Sequence, residues 1–212
     1  MQNIKTKKIK NFKNKLYTIP TYSRNLLYKE SNLFLEWYVP KVLNKKKKKK
    51  INNQLKKIIK FLIKKILLPN NTFVHRDFHM SNLMMSNNKI SVIDSQDAVY
   101  GNIAYDLASL IDDVRFRTSN KLKKKIYQNY LNLNKKKIDI IKFKNDFEIL
   151  SVLRNLKIIG IFSRLATRDK KKIYLKLIPY AWKLIELRLK DNLNFKSLKK
   201  ILKNNFSRQI KI

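Results

Sequence analysis

The chain has 212 residues, 44% of them hydrophobic, which is enough to bury the core of one domain or of two small ones. With 50 Lys and Arg against 14 Asp and Glu, the net charge of +36 suggests a polyanionic partner, but a general drift toward lysine and asparagine explains it equally well. The lack of cysteine excludes a disulfide framework and a thiolate zinc site. Without a long apolar run or a signal-peptide pattern, the chain is expected to be soluble, cytoplasmic and free of membrane spans.

The first part of the chain predicts a tail followed by a helix. Residues 1–20 are rich in lysine and asparagine and closed by Pro20, so they predict a basic tail or linker before a domain over residues 21–212. Apolar residues at near-helical spacing predict an amphipathic helix that begins at Ser23 and stops before Pro40.

A run of six lysines, residues 45–50, predicts an exposed loop, because like charges repel one another. Helical periodicity returns over residues 51–67 and again, for the remainder of the chain, after Gly101. These later helices are expected over residues 104–117, 119–131, 145–168 and 171–190, with a weaker one from residue 195.

Between these helical stretches the hydrophobic period changes. Two short strands are predicted around an Asn87-Asn88 turn, so the fold is expected to be mainly α with a small β-hairpin. Six of the 14 acidic residues fall within residues 77–113, both histidines lie in or beside that window, and Lys89 is its only lysine. A window that escapes the drift toward lysine is the place to look for a functional site.

One constellation in this window carries chemistry. The sequence His75-Arg76-Asp77 is followed, after four residues, by Asn82, and Asp94 ends the second predicted strand, residues 90–94. Phosphoryl transfer needs a carboxylate near the attacking hydroxyl, together with a carboxylate and an amide oxygen for Mg²⁺. The spacing matches the catalytic loop of protein-kinase-like enzymes. Asp77 is therefore predicted as the base of a catalytic loop over residues 75–82, and Asn82 and Asp94 as metal ligands.

The wider sequence resembles the C-terminal half of the aminoglycoside phosphotransferase family in the stretches FVHRDFHMSNLMM, VIDSQDAVYGNIAYDLASLIDD and LRNLKIIGIFSRLATRD. Within that family it looks closest to the anomeric kinases that phosphorylate N-acetylmuramic acid and N-acetylglucosamine in the recycling of cell-wall peptidoglycan. The resemblance implies the C-terminal lobe of a protein-kinase-like fold, the use of ATP and Mg²⁺, and an amino-sugar substrate. It also implies that Asp106 is a buried carboxylate that braces the catalytic loop.

Two features depart from that family. Ser95 follows the predicted metal ligand where these sugar kinases commonly have phenylalanine. The glycines are only Gly101 and Gly160, so this sequence contains no glycine-rich phosphate-covering loop, and about 20 residues before the first matching helix are too few for an N-terminal lobe. The chain is therefore expected to be a C-lobe with the N-lobe absent, inactive or nearly so alone, with its N-lobe encoded separately or lost.

Polar residues around the loop have more modest predicted roles. His75 is expected to support the catalytic loop by bonding nearby backbone, and His79 to lie near the acceptor. For Gln96 and Asp97 two roles are expected as alternatives: contact with the substrate, or capping of a turn.

Charged residues on the later helices are further candidates. Arg164 and Arg168 are expected either at a solvated edge or at the carboxylate of a muramic acid. Asp112 and Asp113 are predicted late in a helix, where the helix dipole disfavours acids, so a partner such as Arg115, Arg117 or a sugar hydroxyl is expected.

The sequence thus favours an ATP-dependent sugar kinase lobe. A basic nucleic-acid-binding helical protein and a non-catalytic kinase relic are the alternatives, and an aminoglycoside or choline is an alternative acceptor.

Overall fold

The computed structural model describes residues 1–10, 12–190 and 192–210, with the side chains of residues 207–210 left out. The chain forms two compact units. The first unit comprises Met1–Ser23 and Leu67–Phe147, and the second comprises Arg24–Ile66 and Glu148–Ile212. Each unit is described separately below.

Short strands of the first unit pair into two-stranded antiparallel sheets. In chain order they are β1 (Lys8–Lys10) with β2 (Leu16–Thr18), β3 (Thr72–Val74) with β6 (Val99–Gly101), and β4 (Leu83–Ser86) with β5 (Lys89–Val92). The β4–β5 pair confirms the predicted hairpin, and its turn residues Asn87 and Asn88 have φ of 47° and 58°, as a type I′ turn requires. The other two pairs were missed because strands of three residues are too short to show an alternating pattern.

The stretch predicted as a tail or linker contains β1 and β2. The main-chain N–H of Ile19 donates to the carbonyl of Lys7 at 2.8 Å, and the side chain of Ile19 is buried. Gln2 Nε2 also donates to the carbonyl of Ile103 at 3.1 Å. These contacts join residues 1–20 to the first unit, while the domain division at residue 20 stays a prediction.

The second unit begins with helices that correct two predictions. They are α1 (Arg24–Leu33), a π-helical turn (Phe34–Tyr38), α2 (Val39–Val42) and α3 (Lys45–Lys64). The helical path does not stop before Pro40, because this proline lies in the first turn of α2, where its missing N–H costs nothing. The six lysines form the first turns of α3 and not a loop. Asn44 caps this helix by accepting from Lys47 N at 3.0 Å, and the buried apolar face that follows outweighs the repulsion among the lysines.

The remaining helices follow in chain order. They are α4 (Tyr105–Ile111), α5 (Asn120–Asn134), α6 (Ile140–Thr167), α7 (Ile178–Arg188) and α8 (Lys196–Ile210). Of the stretch predicted as helix from residue 171, Lys172–Leu177 is 3₁₀-helical. No helix in the described part of the chain is both long and apolar enough to cross a membrane.

Aromatic side chains fill the core of the second unit. Trp182 is fully buried against Phe34 and Phe206, with ring centroids 5.7 and 5.8 Å apart. Trp182 Nε1 donates to the hydroxyl of Tyr38 at 3.1 Å. Burial raises the pKa of Tyr38 to about 12, although this hydrogen bond acts in the opposite direction.

Candidate active site

The predicted catalytic loop connects two strands of the first unit. It begins directly after β3 and ends in a 3₁₀ turn, Met80–Asn82, that leads into β4. His75 is fully buried, and its Nε2 lies 2.9 Å from the carbonyl oxygen of Ile93. Because Ile93 directly follows β5, this contact ties the start of the loop to the segment that carries Asp94.

Asp106 holds the backbone at the start of the loop. Its carboxylate, buried in the first turn of α4, accepts from the main-chain N–H of His75 at 2.8 Å and of Arg76 at 3.1 Å. Arg76 has a φ of 72°, an uncommon conformation for a residue with a side chain. Two bonds to a carboxylate stabilise this turn where local preference would not.

Asp77 and Asn82 are joined across the loop. Asn82 Nδ2 donates to the main-chain oxygen of Asp77 at 2.9 Å, and His79 N donates to the same oxygen at 3.0 Å. These bonds fix the backbone at Asp77. The half-buried carboxylate of Asp77 makes no hydrogen bond or ion pair with the described residues, so it is available to a ligand.

Asp94 meets the same region from the other side of the hairpin. Its Oδ2 lies 3.5 Å from Asn82 Nδ2, and its Oδ1 accepts from Gln96 Nε2 at 2.7 Å. Asp94 has a φ of 69°, and residues held in sparsely populated conformations often mark functional sites. The structure therefore brings three predicted residues together: Asp77, Asn82 and Asp94.

The donor set suits Mg²⁺. With the amide nitrogen of Asn82 committed to Asp77, its Oδ1 is the atom left for a cation. Carboxylate and amide oxygens are hard ligands of the kind that Mg²⁺ prefers, and one or two protein ligands are usual for this ion when phosphates complete its shell. Asn82 Oδ1 and the exposed carboxylate of Asp94 fit that requirement.

Other predicted residues of the first unit lie around this group. Gln96 contacts Asp94, as described above. Asp97 is exposed, and its main-chain oxygen accepts from Arg76 Nη1 at 3.1 Å. The side chain of His79 is buried, and its carbonyl oxygen accepts from Asn82 N at 2.9 Å.

Arg164 and Arg168 belong to the second unit. Arg168 is exposed, and its Nε lies 2.7 Å from Asp169 Oδ1. This pairing raises the pKa of Arg168 and lowers the pKa of Asp169. Arg164 is half-buried at the end of α6. Their predicted role with a substrate carboxylate stays a prediction.

Asp112 and Asp113 are placed differently from the prediction, because α4 ends at Ile111 and both acids follow it. Both are fully buried. Asp112 Oδ1 pairs with Lys123 Nζ at 3.1 Å. Asp113 accepts from the main-chain N–H of Met80 at 3.2 Å, within the catalytic loop. Sequence reasoning missed this contact, and its only signal was a pair of acids at an unfavourable helix end.

The second unit has a basic groove between α3 and α8, with a volume of about 650 Å³. No acidic residue lines it. Half-buried Ile58 and Ile201 contribute apolar surface. Four lysines contribute charge: Lys47, Lys50, Lys57 and Lys200.

A family model and several relatives of one name match this chain. The model of the phosphotransferase enzyme family, APH, matches residues 19–138. The chain is 34% identical over 168 residues to an N-acetylmuramate/N-acetylglucosamine kinase of Neisseria meningitidis serogroup B, covering 76% of this chain and 50% of the relative. The chain is also similar to a protein of the same name in Pseudomonas aeruginosa, with 31% identity over 176 residues that cover 79% of this chain and 51% of the relative. A third protein of this name, in Pseudomonas putida, is 32% identical over 166 residues that cover 76% of this chain and 49% of the relative. The chain spans about half the length of these relatives.

Proposed function

Because the chain belongs to the phosphotransferase enzyme family, we propose that it is the catalytic part of an ATP-dependent kinase acting on a sugar hydroxyl. One observation carries the proposal. Asn82 Nδ2 donates to the main chain of Asp77 and lies 3.5 Å from the Asp94 carboxylate, so the groups needed for phosphoryl transfer share one region. The names of the relatives support N-acetylmuramic acid or N-acetylglucosamine as the acceptor. We further propose that the phosphoryl group goes to the anomeric hydroxyl of that sugar, in peptidoglycan recycling in the cytoplasm.

Asp77 is the proposed base. Its carboxylate orients the acceptor hydroxyl and takes its proton as the hydroxyl oxygen bonds to the γ-phosphorus of ATP. The bond from that phosphorus to the β,γ-bridging oxygen breaks, and ADP leaves with the bond's electron pair. Two hydrogen bonds to its main-chain oxygen hold Asp77 in place, which limits the reorganisation that the reaction requires.

Asn82 and Asp94 are the proposed Mg²⁺ ligands. When bound, Mg²⁺ would neutralise negative charge on the transferring phosphates. Gln96 donates to one oxygen of Asp94 and so restricts its orientation, and His75 holds the segment that precedes it.

Polar and basic residues are candidates for the acceptor side. His79, Gln96 and Asp97 are near the proposed base and metal ligands in sequence, and Arg164 and Arg168 offer the planar fork that binds a carboxylate. We propose them as candidates for contacts with the sugar.

We further propose that transfer requires a nucleotide-covering lobe, contributed by another part of the protein or by a separate chain. The sequence has only two glycines, and it spans about half of the relatives' length. The 212-residue chain alone is therefore expected to be inactive or nearly so, and a non-catalytic relic is the corresponding alternative.

The test combines the chain with the part of the Neisseria relative that it does not cover, ATP, Mg²⁺ and a panel of amino sugars, aminoglycosides and choline. The product, a sugar 1-phosphate or the phosphate ester of another acceptor, is measured by ³¹P NMR, with the chain alone as a reference. We expect Asp77→Asn to lower the rate by about 10² to 10⁴, the usual contribution of a general base.

Asp139→Asn is the matched control, because Asp139 is exposed, precedes α6 and accepts from Lys142 N at 3.0 Å, a capping role that asparagine also fills. The control should keep wild-type activity. Activity that survives Asp77→Asn would contradict the assignment of the base, and phosphorylation of choline or aminoglycosides alone would contradict the acceptor.

Binding of a polyanion is a second candidate function, favoured by the basic groove of the second unit. Its lysines meet no acidic residue in the groove lining, so they leave an excess of positive charge there. Such binding is non-specific in sequence and independent of Asp77.

A further inference from the structure

We propose that Asp113 is a positioning residue for the metal ligand Asn82, an inference that rests on the function proposed above. The side chain of Asp113 is fully buried. Its Oδ2 accepts from Met80 N at 3.2 Å, and its Oδ1 accepts from Arg115 N at 2.9 Å. Met80 is the first residue of the 3₁₀ turn that ends at Asn82.

This turn has no cap of its own. The residue at its N-cap, His79, makes no side-chain capping bond, and the bonds within the turn run from Asn82 N to His79 O and from Leu83 N to Met80 O. The first N–H groups of a helical turn have no partner inside it and need an acceptor from elsewhere. Asp113 supplies that acceptor from 33 residues away.

Asp113 and Asp106 hold the two ends of the catalytic loop in the same manner. Each carboxylate accepts two main-chain N–H groups: Asp106 from the start of the loop, and Asp113 from its final turn and from Arg115. Asp106 lies in the first turn of α4 and Asp113 lies two residues beyond its end; the helix has seven residues and is therefore about 10 Å long. A short rigid helix thus sets the separation between the ends of the loop that carry Asp77 and Asn82.

The segment behind Asp113 is itself anchored. Its neighbour Asp112 pairs with Lys123 of α5 at 3.1 Å, and Lys123 Nζ also donates to the carbonyl of Ile111. These bonds restrict the position of Asp113, and its hydrogen bond to Met80 N restricts the position of the turn in the same way.

The bonding pattern indicates a sharp substitution. Both oxygens of Asp113 accept from N–H groups, but an asparagine side chain has one acceptor oxygen and a donor nitrogen. Asp113→Asn keeps the size of the side chain and loses one of the two bonds. If Asp113 sets the position of Asn82, the variant binds a divalent cation more weakly.

The experiment uses Mn²⁺ alone as the probe, with the full chain. Paramagnetic broadening of the NMR amide signals of residues 77–82 and 94–96 is followed during a Mn²⁺ titration. We expect saturable broadening in the wild type and its loss in Asp94→Asn. We expect the dissociation constant of Asp113→Asn to rise about tenfold, the lower end of the range for residues that orient metal ligands.

Asp146→Asn is the matched control. Asp146 is also fully buried and also accepts two main-chain N–H groups, those of Leu67 and Leu68 at 2.8 and 2.7 Å, but it does not contact the catalytic loop. Asp146 also accepts from the side-chain amides of Asn102 at 2.7 Å and Asn145 at 3.0 Å, so its substitution removes at least as much hydrogen bonding from a buried carboxylate. The control therefore separates a general loss of stability from a local effect on the metal site. Its Mn²⁺ affinity should equal that of the wild type.

A second variant covers the case in which Asp113→Asn does not fold. Met80→Pro removes the N–H that Asp113 accepts, and the extended backbone of His79 is compatible with a following proline. It should weaken Mn²⁺ binding in the same way. Wild-type affinity would overturn the role of Asp113 and leave the proposed metal site intact if it is found in Met80→Pro, or in Asp113→Asn when the chemical shift of the Met80 amide proton shows that its bond is lost. Failure of the wild type to show saturable broadening would overturn the metal site itself and this role with it.

Discussion

Gly160 occupies a position where the structure has no room for a side chain. It lies in the part of α6 that belongs to the second unit, and a Cβ at this position would be 2.3 Å from the main-chain carbon of Leu33 and 2.5 Å from the nitrogen of Phe34. Both neighbours are backbone atoms at the junction of α1 and the π-helical turn. Rotation of a side chain therefore cannot relieve the contact, and Gly160→Ala must displace one helix from the other.

The expected cost combines two opposing effects. Alanine is about 1 kcal/mol better than glycine inside a helix, whereas overpacking of a core costs about 1 to 3 kcal/mol and occasionally more. Contacts below 3.0 Å with backbone place Gly160→Ala at or above the upper end of that range. We expect a net destabilisation of about 2 kcal/mol, which for a chain of this size lowers the melting temperature by about 4 to 8 °C.

Tryptophan fluorescence measures this effect in the right unit. Both tryptophans of the chain, Trp37 and Trp182, belong to the second unit. Gly101→Ala is the control, because Gly101 lies in the first unit and the atoms nearest to its Cβ position are side-chain atoms of Val74 and Tyr22 at 3.2 and 3.3 Å. It should lower the melting temperature less than Gly160→Ala does, because its contacts are about 1 Å longer and do not involve backbone. Melting of Gly160→Ala at or above the wild-type temperature would refute the close contact at Leu33.

Three further predictions concern Asp106 and Tyr130 of the first unit and the basic groove of the second unit. Asp106→Asn leaves one acceptor oxygen for two N–H donors. Urea unfolding should therefore show that the free energy of unfolding falls by about 1.5 to 3 kcal/mol, the usual value of a hydrogen bond to a charged group; an unchanged free energy of unfolding would contradict this role of Asp106. Burial raises the pKa of Tyr130 from 10.0 to about 12, so the unfolded chain loses this proton first as the pH rises. The free energy of unfolding should fall between pH 10 and 12, and less steeply in Tyr130→Phe; equal slopes would exclude this cause. Filter binding of single-stranded RNA should weaken steeply with salt, be unaffected by Asp77→Asn, and fall when the four groove lysines are replaced by alanine; binding that resists salt would contradict a charge-based interaction.

The local elements of the site could be predicted because their determinants lie close together in the sequence. The turn residues Asn87 and Asn88 tolerate positive φ, and the flanking residues alternate, so the hairpin and its register follow from a few neighbours. The predicted base and metal ligands lie within residues 77–94, on either side of this hairpin. Closing so short a segment leaves few alternative arrangements, which is why the structure brings them together.

Prediction was wrong where packing of residues further along the chain outweighed the charge pattern of a short segment. The lysines 45–50 repel one another, but Asn44 caps the helix and Leu55 and Ile59 are completely buried further along it. Helix formation is cooperative, so the buried turns stabilise the helical conformation of the lysine-rich turns before them. The end of α4 at Ile111 was also missed, because Asp112 and Asp113 form buried bonds outside the helix.

The sequence by itself determined which residues carry the proposed chemistry, because the pattern from His75 to Asp94 is local and specific. The resemblance implied that Asp106 braces the catalytic loop, but only the tertiary structure decided which atoms support the pattern and showed that Asp113 takes part. The bonds of the catalytic loop to Asp106 and Asp113 join residues about 30 positions apart, and hydrophobic periodicity contains no information about such pairs. They form because packing buries the two carboxylates, and a buried carboxylate must find N–H donors wherever the fold places them.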